Sequence, residues 1–449
     1  MHIAIIGNGI AGVTAARFIR KLSDHKITLI SAETEYFFSR TALMYIYMGH
    51  MRFEDTKPYE DWFWSKNRIE LKNGYVSHVD VKEKTLHFQN GEKMVFDKLL
   101  IASGSKSNKF GWPGQDLKGV QGLYSFQDLE TMEQASKNLK RAVIVGGGLI
   151  GIEMAEMFHS RHIPVTFLVR EKNYWDNILP VEESKMVARH ILENGIDLRL
   201  ETELKEILDD GNGQVRGVVT KNGERIDCQF VGLTAGVNPN VDFLKGSDIE
   251  VKKGVLVNDF LQINHPDIYA AGDCAELLNP QTGRRAIEAI WYVGRMMGET
   301  AAYNICGKPI KYDPGIWFNS AKFFDIEYQV YGTVPAEPPA HHASVFWEHR
   351  DGRKSIRIVY DKNTENVVGF NLMGIRYRQE VCEKWIREKT PVETVLANLS
   401  LANFDSEFFR EYEQEVLAVY KNQTGKTIFS KKKRRLDDVV AFLKNQVKI

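Results

Sequence analysis

The residues best suited to chemistry near the start of the chain form a G-x-G-x-x-G motif. Its glycines are Gly7, Gly9 and Gly12, and Ile10 and Ala11 lie between the last two. In such a motif the first glycine permits a tight turn, the second lets a pyrophosphate approach the backbone, and the third lets helix and strand pack closely. The N–H groups and partial positive charge of the following helix then favour a diphosphate. These five residues predict a dinucleotide site.

A second copy of the motif begins about 140 residues later. Its glycines are Gly146, Gly148 and Gly151, with Leu149 and Ile150 between the last two. One such site serves many functions, but two imply two dinucleotides held by one protein. The usual reason for that arrangement is hydride transfer between them.

Charged residues follow the first motif at informative positions. Glu33 comes 21 residues after Gly12, where a carboxylate reaches a ribose 2′-OH. Arg40 either pairs bidentately with a cofactor phosphate or is a surface arginine with a packed stem.

The charges after the second motif point in two directions. Arg170 and Lys172 suit a 2′-phosphate and favour NADPH, whereas Glu171 suits a free 2′-OH and repels a phosphate. The balance leans slightly to NADPH. The alternative is that all three belong to a solvated loop.

Short apolar runs and helical patterns position these motifs. Residues 3–6 and 142–145 are predicted as buried parallel strands before the two motifs, with helices after them. The runs 99–105 and 231–236 end in small residues, which lets a ligand lie close to the backbone. Asp273 follows another apolar run and either accepts hydrogen bonds from sugar hydroxyls or caps the next helix.

The remaining patterns predict further elements. Trp62, Phe63 and Trp64 are interpreted as core residues of a helix, and Asn90-Gly91 as a hairpin turn. Strands are expected at 76–80, 85–88, within 198–235, and at 322–332, 344–347, 355–360 and 366–373. A capping box at 390–393 predicts a helix with Pro391 at its first position, and another helix is predicted at about 406–420.

Length, charge and cysteine content limit the classes of function. The 449 residues suffice for two or three domains, and 59 basic residues balance 59 acidic ones, which gives no general reason to expect a nucleic-acid partner. No apolar run reaches the 18 or so residues of a membrane span. The first strand is predicted to start at residue 3, so a cleaved signal is not expected. The four cysteines are widely separated, so a reducing cytoplasm is expected.

Two further features of the sequence give only weak indications of function. His341 and His342 are adjacent, but no partner residue follows at metal-ligand spacing, so no metal is predicted. The basic segment 431–435 precedes apolar residues at helical spacing. That helix either lies on an anionic membrane or a partner, or docks on its own domain with a solvated basic start.

The order of these motifs resembles the FAD-dependent pyridine nucleotide-disulphide oxidoreductase superfamily over roughly residues 1–375. The match rests on the two glycine motifs, with Glu153 after the second, on the strand ending at Ser103-Gly104, and on the segment 269–273. The segment 36–43 is similar to a stretch in ferredoxin and rubredoxin reductases and in apoptosis-inducing factor.

The resemblance assigns roles to individual residues. It implies FAD at the first motif and NAD(P)H at the second, with Glu153 near the nicotinamide as the one catalytic candidate. The implied FAD contacts outside the glycine motif are Glu33, Arg40, Val76, Ser103, Gly104 and Asp273. At the NAD(P)H site Arg170 and Gly236 join the glycine motif.

Thr41 occupies the place where one branch of this superfamily carries its redox cysteine. Without a thiolate, disulphide reductase and peroxidase chemistry is not expected. The resemblance therefore implies an oxidoreductase that passes electrons from NAD(P)H through FAD to a separate acceptor, with a ferredoxin or rubredoxin favoured. A redox-sensing interaction protein like apoptosis-inducing factor and a membrane-surface quinone reductase remain as alternatives.

The predicted fold is α/β: two Rossmann-like domains with parallel sheets, and a C-terminal α/β domain. The expected boundaries place FAD binding in 1–125 and 251–312, NAD(P)H binding in 126–250, and the C-terminal domain in 313–449. The protein is expected to be cytoplasmic, with the tail helix offering a route to the membrane surface. The oligomeric state is open, a homodimer being one option.

Overall fold

A computed structural model describes residues 1–404 and 410–430 of the chain. The strands are β1 (His2–Ile6), β2 (Lys26–Ser31), β3 (Ile69–Asn73), β4 (Val76–Asp80), β5 (Thr85–Phe88), β6 (Lys93–Val95), β7 (Lys98–Ile101), β8 (Ser105–Ser107), β9 (Val120–Gln121), β10 (Ala142–Val145), β11 (Val165–Leu168), β12 (Asp197–Arg199), β13 (Leu204–Asp209), β14 (Val215–Thr220), β15 (Arg225–Asp227), β16 (Phe230–Leu233), β17 (Val237–Pro239), β18 (Val255–Val257), β19 (Ile268–Ala270), β20 (Ala275–Leu277), β21 (Phe318–Phe323), β22 (Ile326–Gly332), β23 (His342–Glu348), β24 (Ser355–Asp361) and β25 (Val367–Met373).

The α-helices are α1 (Ile10–Leu22), α2 (Leu43–Tyr47), α3 (Trp62–Lys66), α4 (Phe126–Ala135), α5 (Leu149–Ser160), α6 (Val181–Glu193), α7 (Trp291–Ile305), α8 (Gln379–Arg387), α9 (Val392–Ala397) and α10 (Glu413–Thr424). Across the part of the chain that the structure describes, none of these helices combines the length and apolar character needed to cross a bilayer. The chain divides into two compact units, one of residues 1–166 and 203–314, the other of residues 167–202 and 315–449.

The first unit contains a five-stranded sheet in the order β19-β7-β1-β2-β3, in which every neighbouring pair is parallel. The three inner strands, β7, β1 and β2, are almost wholly buried, which explains why their sequences are nearly continuous apolar runs. The carboxyl ends of β1, β7 and β19 meet at one edge, because parallel strands end on the same side. Helix α7 packs on α1 through Gly298, where a Cβ atom would lie 2.3 Å from the carbonyl oxygen of Ala11.

The second glycine motif has its own parallel strands. In the first unit β10 pairs with β16, and β16 pairs with β9. Antiparallel sheets β4-β5-β6 and β13-β14-β15 accompany the two parallel ones. The predicted α/β fold with Rossmann-like parts and parallel sheets is confirmed, as are the strands expected at 76–80 and 85–88.

The second unit carries the antiparallel sheet β21-β22-β25-β24-β23. Its core includes Phe370, Trp385 and Val395, from the sheet and from helices α8 and α9. On the same unit the guanidinium of Arg357 bonds both oxygens of the fully buried Glu183 at 2.7 and 2.8 Å. This bidentate pair satisfies a carboxylate that would otherwise be costly to bury. The prediction that the C-terminal part of the chain has its own sheet, with helices packed on it, is confirmed.

Several local predictions need correction. Trp62 is not a core residue but is 55% exposed, whereas Trp64 on the opposite side of α3 is buried. The strand predicted at 322–332 is two strands, β21 and β22, because the chain turns at Phe324, whose φ is +54°. Pro391 is the residue before α9 rather than its first residue, and no side-chain capping bond is made there, because the proline ring carries no polar group.

The predicted C-terminal helices lie partly beyond the description. The expected start at Ser406 falls outside the described residues, and α10 begins at Glu413, where Glu413 and Glu415 suit the positive end of a helix. The basic amphipathic tail at 431–449 also lies outside the described residues. The four-segment domain division drawn from the sequence stays a prediction.

Candidate functional site

The three glycines of the first motif stand in different surroundings. Gly7 has a φ of +108°, and a Cβ atom there would lie 2.1 Å from the carbonyl oxygen of Ala102. At Gly12 a Cβ atom would lie 1.9 Å from the oxygen of Gly7, whereas at Gly9 it would meet nothing within 4 Å. The outer two glycines are therefore required by the protein's own packing, and the middle one faces open space at the start of α1.

The first two glycines of the second motif repeat this arrangement. A Cβ atom at Gly146 would lie 2.8 Å from the backbone at Thr234 and Ala235, while at Gly148 it would again meet nothing within 4 Å. Gly9 and Gly148 both have extended backbone and both immediately precede a helix, α1 and α5. The first-turn N–H groups of a helix have no intrahelical partner, so each loop offers donors beside open space, as a diphosphate requires.

The acid and the arginine after β2 form one unit. The two terminal nitrogens of the Arg40 guanidinium, Nη1 and Nη2, donate hydrogen bonds to the two Glu33 carboxylate oxygens at 2.8 and 2.6 Å. Burial alone would lower the pKa of Arg40, but the hydrogen bonds and charge of Glu33 outweigh it, so the pKa is raised. The Glu33 carboxylate also accepts the backbone N–H of Phe126 at 2.8 Å. Arg40 is thus a partly buried partner of Glu33 rather than a loose surface arginine.

Tyr124 joins the arginine to Asp273. The Arg40 guanidinium lies 4.6 Å from the centre of the Tyr124 ring and donates to its backbone oxygen. The Tyr124 hydroxyl lies 3.4 Å from an Asp273 oxygen, which also accepts from the Ser105 hydroxyl at 3.2 Å. Burial raises the pKa of the Asp273 carboxyl, and the two hydroxyl donors oppose that rise.

Asp273 reaches this position because it follows β19 at the edge where β1 and β7 also end. A strand, β20, comes next, so the alternative that Asp273 caps a following helix does not apply. Gly104, after β7, has a φ of +70°, and a Cβ atom there would lie 2.7 Å from the Tyr124 hydroxyl. The structure therefore brings together four of the predicted residues around a tyrosine: Glu33, Arg40, Gly104 and Asp273.

A pair of short strands connects the ends of the two parallel sheets. Strand β8, just after Gly104, pairs antiparallel with β17, just after Gly236. Ser103 adds a hydrogen bond of 2.7 Å from its hydroxyl to the oxygen of Asn240. The two strand ends that the sequence marks by small residues are thus neighbours.

Gly236 lies beside an asparagine that has unused capacity. The Asn108 backbone N–H donates to the Gly236 oxygen at 3.1 Å, and its side-chain amide donates to the Ala235 oxygen at 3.2 Å. The side-chain oxygen of Asn108 is buried and has no hydrogen-bond partner in the structure. A buried acceptor without a donor is costly, so this oxygen is a natural contact for a bound group.

The other predicted residues occupy separate places. Glu153 is half-buried in the first turns of α5, and Val76 is buried at the start of β4. Arg170 belongs to the second unit, where its Nε bonds the carboxylate of Glu171 at 2.7 Å.

Three residues of the site escape sequence reasoning: Tyr124, Ser105 and Asn108. Tyr124 had one usable signal, since it directly precedes Ser125, whose side chain and that of Asp128 form a capping box at the start of α4. Ser105 ends the run 99–105 that the sequence marks by its small residues, but its bond to Asp273 was not predicted. No sequence signal marks Asn108, because its role depends on the pairing of β8 with β17.

The four cysteines lie in the described part of the chain and are free thiols. Cys228, Cys274 and Cys382 are buried, and Cys306 is half-buried. Burial raises the pKa of Cys228 to about 12 and also raises the pKa of Cys306. Thiols of this kind are poor nucleophiles at neutral pH.

The geometry of the two glycine loops is compatible with FAD at the first and NAD(P)H at the second. The open space at Gly9 and Gly148 suits two diphosphates, and Glu33 retains one acceptor position, since about three of its four lone-pair sites are filled.

Comparison with known proteins identifies related chains. The nitrite reductase [NAD(P)H] of Bacillus subtilis (strain 168) is 31% identical over 279 residues, covering 61% of this chain and 34% of that protein. The assimilatory nitrate reductase electron transfer subunit of the same organism is 25% identical, covering 86% of this chain and 49% of that protein. The NADH-rubredoxin oxidoreductase of Clostridium acetobutylicum is 29% identical, covering 69% of this chain and 76% of that protein.

This chain thus spans about half or less of the length of the first two relatives. Among solved structures, a NAD-dependent persulfide reductase from A. fulgidus superposes with a TM-score of 0.82 over 95% of this chain and 84% of that one, at 22% identity. At that identity the likeness establishes the fold. The pyridine nucleotide-disulphide oxidoreductase family matches the chain over residues 1–298. With the match covering well over half of its length, the chain belongs to the pyridine nucleotide-disulphide oxidoreductase family.

Proposed function

We propose that the protein is an FAD-dependent NAD(P)H oxidoreductase that passes electrons to a separate small redox protein of the ferredoxin or rubredoxin type. The observation that carries this proposal is the pair of glycine loops in one unit, each with its middle glycine facing open space. Family membership supports it, as does the relative named NADH-rubredoxin oxidoreductase.

In this proposal the first loop and the Glu33–Arg40 pair hold FAD. Gly9 leaves room for the diphosphate, and the first-turn N–H groups at Ile10, Ala11 and Gly12 donate to it. The remaining lone pair of Glu33 accepts a ribose hydroxyl. Asp273, which accepts hydrogen bonds from Tyr124 and Ser105, is proposed to accept a further hydrogen bond from a hydroxyl of the ribityl chain. The other proposed FAD contacts are Ser103, Gly104 and Val76.

The second loop holds NAD(P)H in the same way. Gly148 leaves room for the diphosphate, and the N–H groups of Leu149 and Ile150 at the start of the helix are proposed to donate to it. The N–H of Gly151 instead donates to the Gly148 oxygen at 3.1 Å, so Gly151 is proposed to shape the turn. The backbone at Gly236 is proposed to lie against the nicotinamide. The side-chain oxygen of Asn108, which has no hydrogen-bond partner, is proposed to accept a hydrogen bond from the carboxamide N–H of the nicotinamide. Glu153 is the polar side chain proposed near the ring.

The chain's work is positioning rather than acid–base chemistry. FAD bound at the first loop would supply a flavin able to accept hydride from a nicotinamide and to release electrons singly or in pairs. The pairing of β8 with β17 fixes the separation of the two strand ends. The pKa values of all four thiols are raised by burial, which disfavours a thiolate for disulphide exchange. A protein acceptor then collects the electrons.

The coenzyme preference is a finer part of the proposal. Arg170 and Lys172 favour NADPH, but Glu171 is ion-paired with Arg170 and opposes a 2′-phosphate. We propose that the site prefers NADPH slightly and that both coenzymes reduce the protein.

Anaerobic stopped-flow reduction of the yellow protein by NADH and NADPH tests the first half-reaction. Bleaching of the flavin absorbance by either coenzyme is expected, and no bleaching by either would contradict the two-site proposal. The second half-reaction is measured by adding oxidised rubredoxin, ferredoxin, a disulphide or nitrite to the reduced protein. Reoxidation is expected to be fast only with the iron proteins; fast reoxidation by the disulphide or by nitrite would redirect the proposal.

A further inference from the structure

Two adjacent histidines and an aspartate meet at one end of the antiparallel sheet in the second unit. His342 begins β23 and Asp361 ends β24, and these two residues are direct partners in the strand register. His341 precedes β23, and its ring centre lies 4.5 Å from that of His342. One ligand atom from each of the three side chains lies within 4.8 Å of the other two. Two imidazoles and a carboxylate thus share one small volume.

The hydrogen bonds of these side chains leave ligand atoms unused. The Nδ1 atom of His342 is buried and has no hydrogen-bond partner, although buried polar atoms normally find one. The Oδ1 atom of Asp361 accepts the backbone N–H groups of Asn363 and Thr364, both at 2.9 Å. It also accepts the Thr364 hydroxyl at 3.2 Å. These bonds fix the carboxyl group through one oxygen and leave the other for a further contact.

We propose that His341, His342 and Asp361 form a surface binding site for a divalent transition-metal ion, of which Zn²⁺ is the best match. Imidazole nitrogen and carboxylate oxygen are common Zn²⁺ ligands, whereas Mg²⁺ and Ca²⁺ prefer oxygen alone. Three protein ligands leave the fourth tetrahedral position to water or to another exposed group.

The site must close slightly to hold the ion. Bonds of about 2.0–2.2 Å place tetrahedral ligand atoms roughly 3.4 Å apart, which is less than the 4.8 Å limit within which they lie. His341 is the side chain that can move, because it is exposed and precedes the strand. His342 and Asp361 are half-buried and held by the sheet and the turn. A bound ion would link the start of β23 to the end of β24, a role independent of electron transfer.

The test is calorimetric titration of Zn²⁺ into the full-length, flavin-loaded protein after treatment with a chelator. One ion is expected to bind per chain. His342→Ala and Asp361→Asn each remove one ligand and are expected to weaken binding by roughly tenfold or more, since even outer-shell changes cost that much. The flavin absorbance and circular dichroism of each variant show that it is folded.

The matched control is His78→Ala. The rings of His78 and His87 also lie close, at 5.7 Å, but among the described residues the three-ligand arrangement occurs only at His341, His342 and Asp361. Zn²⁺ affinity is expected to be unchanged in this control. Absence of saturable binding in the unaltered protein, or equal affinity in the folded His342→Ala variant, would overturn the proposal.

Discussion

The carboxylate of Glu33 and the guanidinium of Arg40 face each other in a bidentate ion pair, with nitrogen–oxygen distances of 2.8 and 2.6 Å. The two side chains are 20% and 29% exposed, so the pair is only partly screened by water. Arg40 bonds both carboxylate oxygens and thereby fixes the orientation of Glu33, which we propose faces a ribose hydroxyl. The arginine is therefore proposed to act on FAD mainly through the acid.

Replacing Arg40 by methionine is expected to weaken FAD binding while leaving the fold intact. The change removes the two bonds that orient Glu33, so the proposed hydrogen bond from the ribose to this carboxylate is expected to be lost. A hydrogen bond to a charged group contributes about 1.5–3 kcal/mol, or roughly tenfold or more in the FAD dissociation constant. Arg40→Lys, which keeps the charge but not the two parallel bonds, is expected to lie between. The measurement is FAD release followed by flavin fluorescence.

The control for that variant is Arg52→Met. Arg52 pairs with Asp55 in the same way, at 3.0 Å, but the two side chains are 78% and 41% exposed, and exposed pairs contribute little. FAD release is expected to be unchanged in this variant. If Arg40→Met also released FAD at the unaltered rate, the orienting role would be wrong.

The open space at Gly9 and Gly148 allows a matched pair of variants. Gly9→Val is expected to give a folded protein without FAD, since the side chain would occupy the volume proposed for the diphosphate. Gly148→Val is expected to keep FAD but to lose reduction by NAD(P)H. The measurements are the flavin-to-protein absorbance ratio and the rate of anaerobic bleaching.

Gly12 provides the contrast for this pair. A Cβ atom there would lie 1.9 Å from the Gly7 oxygen, so Gly12→Ala is expected to impair folding itself. Yellow, reducible protein from Gly9→Val would contradict the assignment of the first loop to FAD.

The ion pair of Arg170 with Glu171 predicts how coenzyme preference shifts. Glu171→Gln removes the charge that opposes a 2′-phosphate, and the ratio of kcat/KM for NADPH to that for NADH is expected to rise. Arg170→Glu is expected to lower the same ratio roughly tenfold or more, as for loss of one charge-assisted hydrogen bond. Steady-state rates with an artificial acceptor measure both, and an unchanged ratio in both variants would place recognition of the 2′ position elsewhere.

The environment of the cysteines predicts that turnover needs no thiol. Raised pKa values keep Cys228 and Cys306 protonated near neutral pH, where only the thiolate reacts. Iodoacetamide is expected to modify at most Cys306 in the native protein, slowly, and all four cysteines after unfolding. Cys306→Ser is expected to retain the rate of acceptor reduction, and a large loss of rate would bring thiol chemistry back into consideration.

Local sequence rules were sufficient wherever a feature depends on neighbours in the chain. The glycine motifs at 7–12 and 146–151, with the apolar runs before them and the helical patterns after them, predict a strand, a turn and a helix, because apolar periodicity and glycine spacing can be read locally. Errors arose where distant packing decided the outcome. Trp62 is a large apolar residue and was predicted to lie in the core, yet it lies on the exposed face of α3, whereas Trp64 lies on the buried face.

The sequence by itself therefore determined the α/β fold, the two glycine loops and the family. Only the tertiary structure decided which side chains act together. It joined Arg40 to Glu33, set Tyr124 against Asp273, paired β8 with β17, and placed Asp361 opposite His342 across two strands. The physical reason is that most of these contacts link residues far apart in the chain, such as Tyr124 and Asp273, whose approach depends on how whole strands and loops pack. Even Arg40 and Glu33, which are close in sequence, meet through a loop conformation that periodicity does not specify.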